Sequence, residues 1–149
     1  PQVGRGPNGH RRGSLIMLFN SLDIAMSGAI LSRTWMDAIS DNVANVNTIR
    51  PADEEPFRAR LVVARSERTA EGTPRGVQVD SIVESAETPA LIYDPRHPLA
   101  NEDGLVTRPV VDLGQQMTDL VLASRSYEAN LSVIDRVRDT YMAALRIGQ

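Results

Sequence analysis

The chain has no cysteine and no lysine; all 16 of its basic residues are arginine. Without cysteine there is no disulfide, no thiolate metal ligand and no cysteine nucleophile. Without lysine there is no Schiff-base chemistry, no attachment point for pyridoxal phosphate and no P-loop lysine. Aromatic residues make up only 4%, so a core has to be assembled from Leu, Val, Ile, Ala and Met, which suits thin helical packing. No apolar run approaches the roughly 18 residues needed to span a bilayer, so the chain reads as not membrane-spanning. Its head lacks the apolar segment of a secretory signal, so export, if it occurs, takes a route without a cleaved signal peptide. Positive charge is scarce as well. Net charge is −3, and outside the first dozen residues, which hold Arg5, Arg11 and Arg12, 13 basic residues face 19 acidic ones, a balance of −6. No basic stripe is left for nucleic acid.

What remains is 149 residues with 42% hydrophobic content, enough for one ordinary domain or for two long helices with something between them. Residues 1–16 are rich in Gly, Pro and Arg, show no periodicity, and read as a flexible leader outside the fold, with Met17 as a natural start. From Met17, apolar residues recur at three- and four-residue spacing: Phe19, Leu22, Met26, Ala29, Met36 and Val43, interrupted by Arg33, Ser40 and Asn47. That is an amphipathic helix occupying 17–50 and stopped by Pro51. Leu31, Trp35 and Ile39 widen its apolar face, Trp35 as a packing residue.

A second periodic segment occupies 112–149. Leu113, Met117, Leu120, Ser124, Tyr127, Leu131, Ile134, Arg138, Tyr141 and Leu145 alternate four and three apart, predicting a helix over Leu113 to Ile147 that needs a partner to cover its stripe. Asp112 and Gln115 resemble a capping box, and Gly148 is a stop signal. Between the helices, in 51–111, FRARLVVARSERT and GVQVDSIVES have the β-branched content of strands and flank the turn-forming EGTPRG, which predicts a β-hairpin. LIYDPRHPLANEDGLVTRPVVD follows as an extended loop with an Asp-Gly turn. The expected fold is mainly α with a small β insert: the terminal helices pack as an antiparallel coiled-coil-like pair, and the hairpin projects from one end.

Catalysis finds little support. Asp94, His97 and Asp103 share one loop, yet no serine sits in an elbow motif to serve as nucleophile. Aligning Gly104 with the central glycine of a calcium loop puts Leu99 and Val110 at ligand positions, which rejects that site. Asn130-Leu131-Ser132 matches a glycosylation triplet in the middle of a predicted helix and carries no weight. The expectation is therefore no enzyme, no catalytic residue, no metal, no cofactor and no small-molecule substrate.

Three asparagines crowd the end of the first helix, in SDNVANVNTIRP. One reading is that Asn42, Asn45 and Asn47 cap a fraying helix end; the other is that their amides bond neighbouring chains. DNVANVNT resembles the Asn-x-x-Asn-x-x-Thr signature of bacterial flagellar axial proteins. More specifically, HPLANEDGLV and ASRSYEAN are similar to the proximal rod protein family FlgC, a likeness spanning Met17 to Gln149. Val110 departs from the Asn usual in that family, and the Gly-aromatic-basic ending of the axial signature gives way to IRPADEEPFRAR. A short insert before Pro56, Phe57 and Arg58 is itself similar to the rod subtype.

The resemblance implies a structural subunit of the flagellar basal-body rod, the hollow shaft linking motor to hook. Its partners would be copies of itself, other rod proteins and the type III export apparatus, and its place the periplasmic rod. The interface residues expected on this reading are Asn42, Asn45, Asn47, Leu113, Met117, Leu120, Tyr127, Asn130, Leu131, Ile134, Tyr141 and Leu145. The alternative is a coiled-coil interaction module of another secretion or scaffold system, with a hydrolase using Asp94 and His97 a distant third.

Overall fold

The structure, a computed structural model, describes residues 8–147. Its elements run α1 (Asn8–Asn45), β1 (Arg50–Pro51), β2 (Arg60–Arg68), β3 (Pro74–Glu84), β4 (Ala90–Tyr93), β5 (Leu105–Arg108) and α2 (Leu113–Ile147). Helix α1 starts at Asn8, well before Met17 and within the segment expected as a leader. No proline lies between Asn8 and Asn45, and once a helix is nucleated, each added residue gains a hydrogen bond, so Gly9 and Gly13 cost about 1 kcal/mol apiece without stopping it. Residues 1–7 and the Gly148 stop lie outside the described residues.

The far end of α1 also moves. The helix stops at Asn45 instead of reaching Arg50, because Asn45 Nδ2 turns back to the Asp41 carbonyl (2.8 Å) while its Oδ1 accepts the Thr48 hydroxyl (3.1 Å). The Thr48 amide then bonds the Asn45 carbonyl (3.0 Å) and closes a turn. Arg50, biased to extended backbone by Pro51, already belongs to a strand. At the other helix Asp112 acts as N-cap, its Oδ1 accepting the Gln115 amide at 3.1 Å. Only half of the expected box forms, since the Gln115 side chain reaches forward to Asp119.

The two helices pack on each other along an antiparallel register. Asn42 bonds Gln116, and ten residues back along α1 Ser32 meets Ser126, ten residues forward along α2. Four further residues back, Gly28 lies against Asn130, four residues further forward. Constant register over this length is the signature of straight, oppositely directed helices.

Strands β2 and β3 form the predicted hairpin, antiparallel with Leu61 opposite Val83 and with register shifts after Val63 and Glu67. It does not project. Arg60 at its base is fastened to Asn42 and Val77 near its tip to Ser27, so the ribbon lies lengthwise on α1. The half-buried positions of β3 include Val77, Val79 and Ser81, an alternating row that has to be covered, and α1 is what covers it. The expected loop is also more ordered than its prolines suggested. It contains β4 and β5, which with β1 make a three-stranded antiparallel sheet in the order β1-β5-β4. Val106 on β5 is fully buried, and the Thr107 hydroxyl donates to the carbonyls of Arg50 and Pro51.

Candidate subunit interface

Each of the three asparagines has work within the chain. Asn42 is 1% exposed; its Oδ1 accepts the Arg60 amide at 2.7 Å, and its Nδ2 donates to the Arg60 carbonyl at 3.0 Å and to Gln116 Oε1 at 2.9 Å. The side-chain amide thus pairs with Arg60 as a strand residue would, and holds α2 with its remaining hydrogen. Asp41 adds an ion pair to the Arg60 guanidinium. Asn45 shapes the turn described above, and the exposed Asn47 accepts Arg108 Nη2 at 3.0 Å, tying the end of α1 to β5. Within the single chain Asn42 is thus engaged through three hydrogen bonds, to Arg60 and to Gln116.

Both helical stripes are displaced by the same amount. On α1 the predicted positions Leu22, Ala29, Met36 and Val43 are covered, but Met26, Arg33 and Ser40 are exposed, and their places inside are taken by Ala25, Ser32 and Ile39. On α2 Leu120, Tyr127 and Ile134 face inward, whereas Met117, Leu131 and Arg138 are exposed and Gln116, Ala123, Asn130 and Val137 occupy the inner row. Over the stretch where the helices pack, one set of seven-spaced positions in each helix is covered and most of the other set is one residue off. Apart from Ile39 and Val137 the inner row is small or polar, and small side chains let helix axes approach: a Cβ on Gly28 would stand 2.8 Å from the Asn130 amide atoms. Ser32 Oγ, donating to the Gly28 carbonyl, also meets Ser126 Oγ at 3.1 Å.

The consequence is an outer surface rich in large apolar side chains. Leu113, Met117, Leu131, Tyr141 and Leu145, all expected at an interface, are exposed in the single chain. Val121, Leu122, Val133 and Met142 join them on α2, and Phe19, Ile24, Met26 and Ile30 on α1. Leu91 and Tyr93 on β4 are exposed as well, Tyr93 at 71%. At the end of the pair remote from Asn42, an apolar groove of about 470 Å³ opens between Leu18, Phe19, Leu22 and Met26 on α1 and Ile134, Val137 and Tyr141 on α2. So much uncovered apolar area on one chain marks surface meant for other protein.

The loop holding Asp94, His97 and Asp103 is built for turning. His97 Nδ1 accepts the Leu99 amide (3.1 Å), Asp94 Oδ1 the Arg96 amide, and Asn101 Oδ1 both the Asp103 and Leu105 amides. Gly104 sits at φ +73°, with Pro95 and Tyr93 3.0 Å from where a Cβ would be. That is why the Asp-Gly pair has to end in glycine. Among the described residues no group of His, Asp and Glu gathers to hold a metal ion, and no helix is long and apolar enough to cross a membrane.

Comparison with known proteins bears on the same surfaces. Residues 22–51 match the family model described as flagella basal body rod protein, and residues 103–147 match the C-terminal model of the flagellar basal body rod FlgEFG proteins. The chain is 34% identical over 132 residues to the flagellar basal-body rod protein FlgC of Salmonella typhimurium, covering 89% of this chain and 98% of that protein. It is also 34% identical to FlgC of Bacillus subtilis over 147 residues and to FlgC of Borreliella burgdorferi over 149, each alignment covering 98% of the relative. The chain belongs to the FlgC family.

In this FlgC family member the two model-matched segments are the ones the structure brings together. The first holds α1 from Leu22 through β1, the second β5 and α2, and Asn42–Gln116 and Ser32–Ser126 join them. The hairpin falls between the two. Reading for apolar residues missed Gln116, Ser32, Ser126 and Gly28, because the positions that set the helix register are polar or lack a side chain.

Proposed function

We propose that this chain is a structural subunit of the flagellar basal-body rod, assembling with copies of itself and with other rod proteins into the shaft between motor and hook, and that it has no enzymatic activity. The observation that carries this reading is the outer face of α2, where Met117, Leu122, Leu131 and Leu145 are exposed beside an inner face already satisfied by α1. A helix with two faces to bury and one partner within its own chain needs a second partner outside it. The α1–α2 pair serves as a coiled-coil-like strut whose outer rows pack on neighbouring struts, and head-to-tail repetition of such contacts generates an open helical assembly. The chain reaches the periplasmic rod through the type III export apparatus. Absence of cysteine suits passage as an unfolded chain, since no disulfide can form on the way. Of the interface residues, Leu113, Met117, Leu131, Tyr141 and Leu145 make contacts between subunits, while Leu120, Tyr127, Asn130 and Ile134 act through the strut.

The test is a strain lacking its own copy of this protein, supplied with the chain carrying Met117→Asp and Leu131→Asp. The purified variant keeps its helix content by circular dichroism, while basal bodies seen by electron microscopy lack a complete rod and the cells do not swim. Normal rods and swimming with that variant would overturn the proposal.

A further inference from the structure

The β2–β3 hairpin is fastened to α1 at two places that differ in strength. At its base, the Asn42 amide makes both bonds to Arg60 and a third to Gln116, at a position 1% exposed, and the Asp41–Arg60 ion pair lies beside them. Near its tip a single hydrogen bond among the described residues holds it to α1, from the Val77 amide to Ser27 Oγ at 3.1 Å, while that hydroxyl donates to the Ile24 carbonyl at 2.8 Å. Gly76, at φ +129°, makes this approach possible, because a Cβ there would collide with Ser27 Oγ. Beneath the tip the packing is open: a hollow of about 390 Å³ is lined by Ser27, Ile30, Leu31, Val77 and Val79, and Ile30 is 62% exposed.

We infer that the hairpin is a strap with a fixed end at Asn42 and a releasable end at Ser27. Its two ends lie on α1 positions fifteen residues apart, about 22 Å along the helix at 1.5 Å per residue. Lifting the tip breaks one hydrogen bond with a polar group already near solvent, whereas lifting the base breaks both Asn42–Arg60 bonds and the Asp41–Arg60 ion pair and leaves the buried Asn42 amide short of its partners, so the strap opens from the tip and pivots at Arg60. The ladder between β2 and β3 stays intact as it swings, because none of its bonds runs to α1. Opening bares Leu31 on the helix together with Val77 and Val79 on the strap, next to Ile24 and Ile30, which are exposed already.

Amide hydrogen exchange read residue by residue on the full chain tests this. The Val77 amide exchanges at least about tenfold faster than the Arg60 amide. Ser27→Ala and, independently, Gly76→Ala each accelerate Val77 by about tenfold and leave Arg60 unchanged, as expected when one local bond is lost. Equal protection of Val77 and Arg60 would overturn the inference, as would a Ser27→Ala chain in which both amides speed up together.

Discussion

The two ends of the helix pair are built on opposite plans. Where α1 finishes and α2 begins, the side chains of Asn42, Ile39 and Ala38 are buried, and Asn42 alone joins two helices and a strand. At the other end Leu18, Phe19, Leu22, Ile134, Val137 and Tyr141 line an open groove, and residues 138–146 of α2 are all exposed. One end is closed by polar bonds that fix geometry; the other presents apolar side chains without fixing anything. The difference teaches that apolar content and structural commitment have separated in this chain. Apart from Ile39 and Val106, the fully buried side chains are small or polar, and many of the large hydrophobic ones are left exposed.

Removing the knot at the closed end is the hardest blow to that contrast. Asn42→Ala deletes three hydrogen bonds and strands the Arg60 amide, the Arg60 carbonyl and Gln116 Oε1. Unsatisfied buried groups cost roughly 1 to 3 kcal/mol each, and partial access to water tempers the sum, so a loss of about 3 to 4 kcal/mol is expected in urea unfolding. Asn47→Ala, which gives up one exposed contact to Arg108, should cost less than about 0.5 kcal/mol. Equal losses from the two would erase the distinction among the asparagines.

An apolar pair sharpens the same contrast without polar groups. Ile39 is 2% exposed and Ile30 62%, on the same helix. Ile39→Ala should destabilise by about 2 to 4 kcal/mol through lost burial and the cavity left behind, while Ile30→Ala stays within about 0.5 kcal/mol. Thermal or urea unfolding of the two variants decides it, and similar values for both would mean the outer face is covered in solution.

The close approach of the helices has a smaller signature. Gly28→Ala puts a methyl group 2.8 Å from the Asn130 amide, a flexible side-chain end that can shift. The expected cost is about 1 to 2 kcal/mol, and pairing it with Asn130→Ala should recover most of that in a double-mutant cycle. Strict additivity would place Asn130 away from Gly28.

How much of this was legible in the sequence follows from the same separation. Helix α2, its Asp112 cap, the hairpin and the family likeness all rest on local signals: periodicity, turn residues and motif strings. The displaced stripes do not, because Met26 looks like a better core residue than Ala25, and Leu131 a better one than Asn130. Hydrophobicity ranks what a side chain gains on burial, whereas the intrachain contact was settled by which rows let two backbones come close. Asn42 could be flagged as unusual, yet its partner Arg60 lies 18 residues on, and nothing local pairs them. Strands β4 and β5 were hidden by the prolines of the loop joining them.

The open end supplies the smallest expected effect on the single chain. Leu145 lies near the end of α2, is 50% exposed, and no described partner closes over it. Leu145→Asp therefore removes little burial, and an acid near a helix C-terminus costs only about 0.3 to 1 kcal/mol through the unfavourable end of the helix dipole. Its unfolding midpoint should barely move. If the open end is where neighbouring subunits attach, a charge there has to be desolvated on assembly, and the penalty recurs at every copy. The variant should then be as stable as the parent in isolation and yet fail to restore swimming to a strain lacking the protein. Swimming at the parental level would show that Leu145 stays in water within the rod, and the open end would have to be reread as solvent-facing.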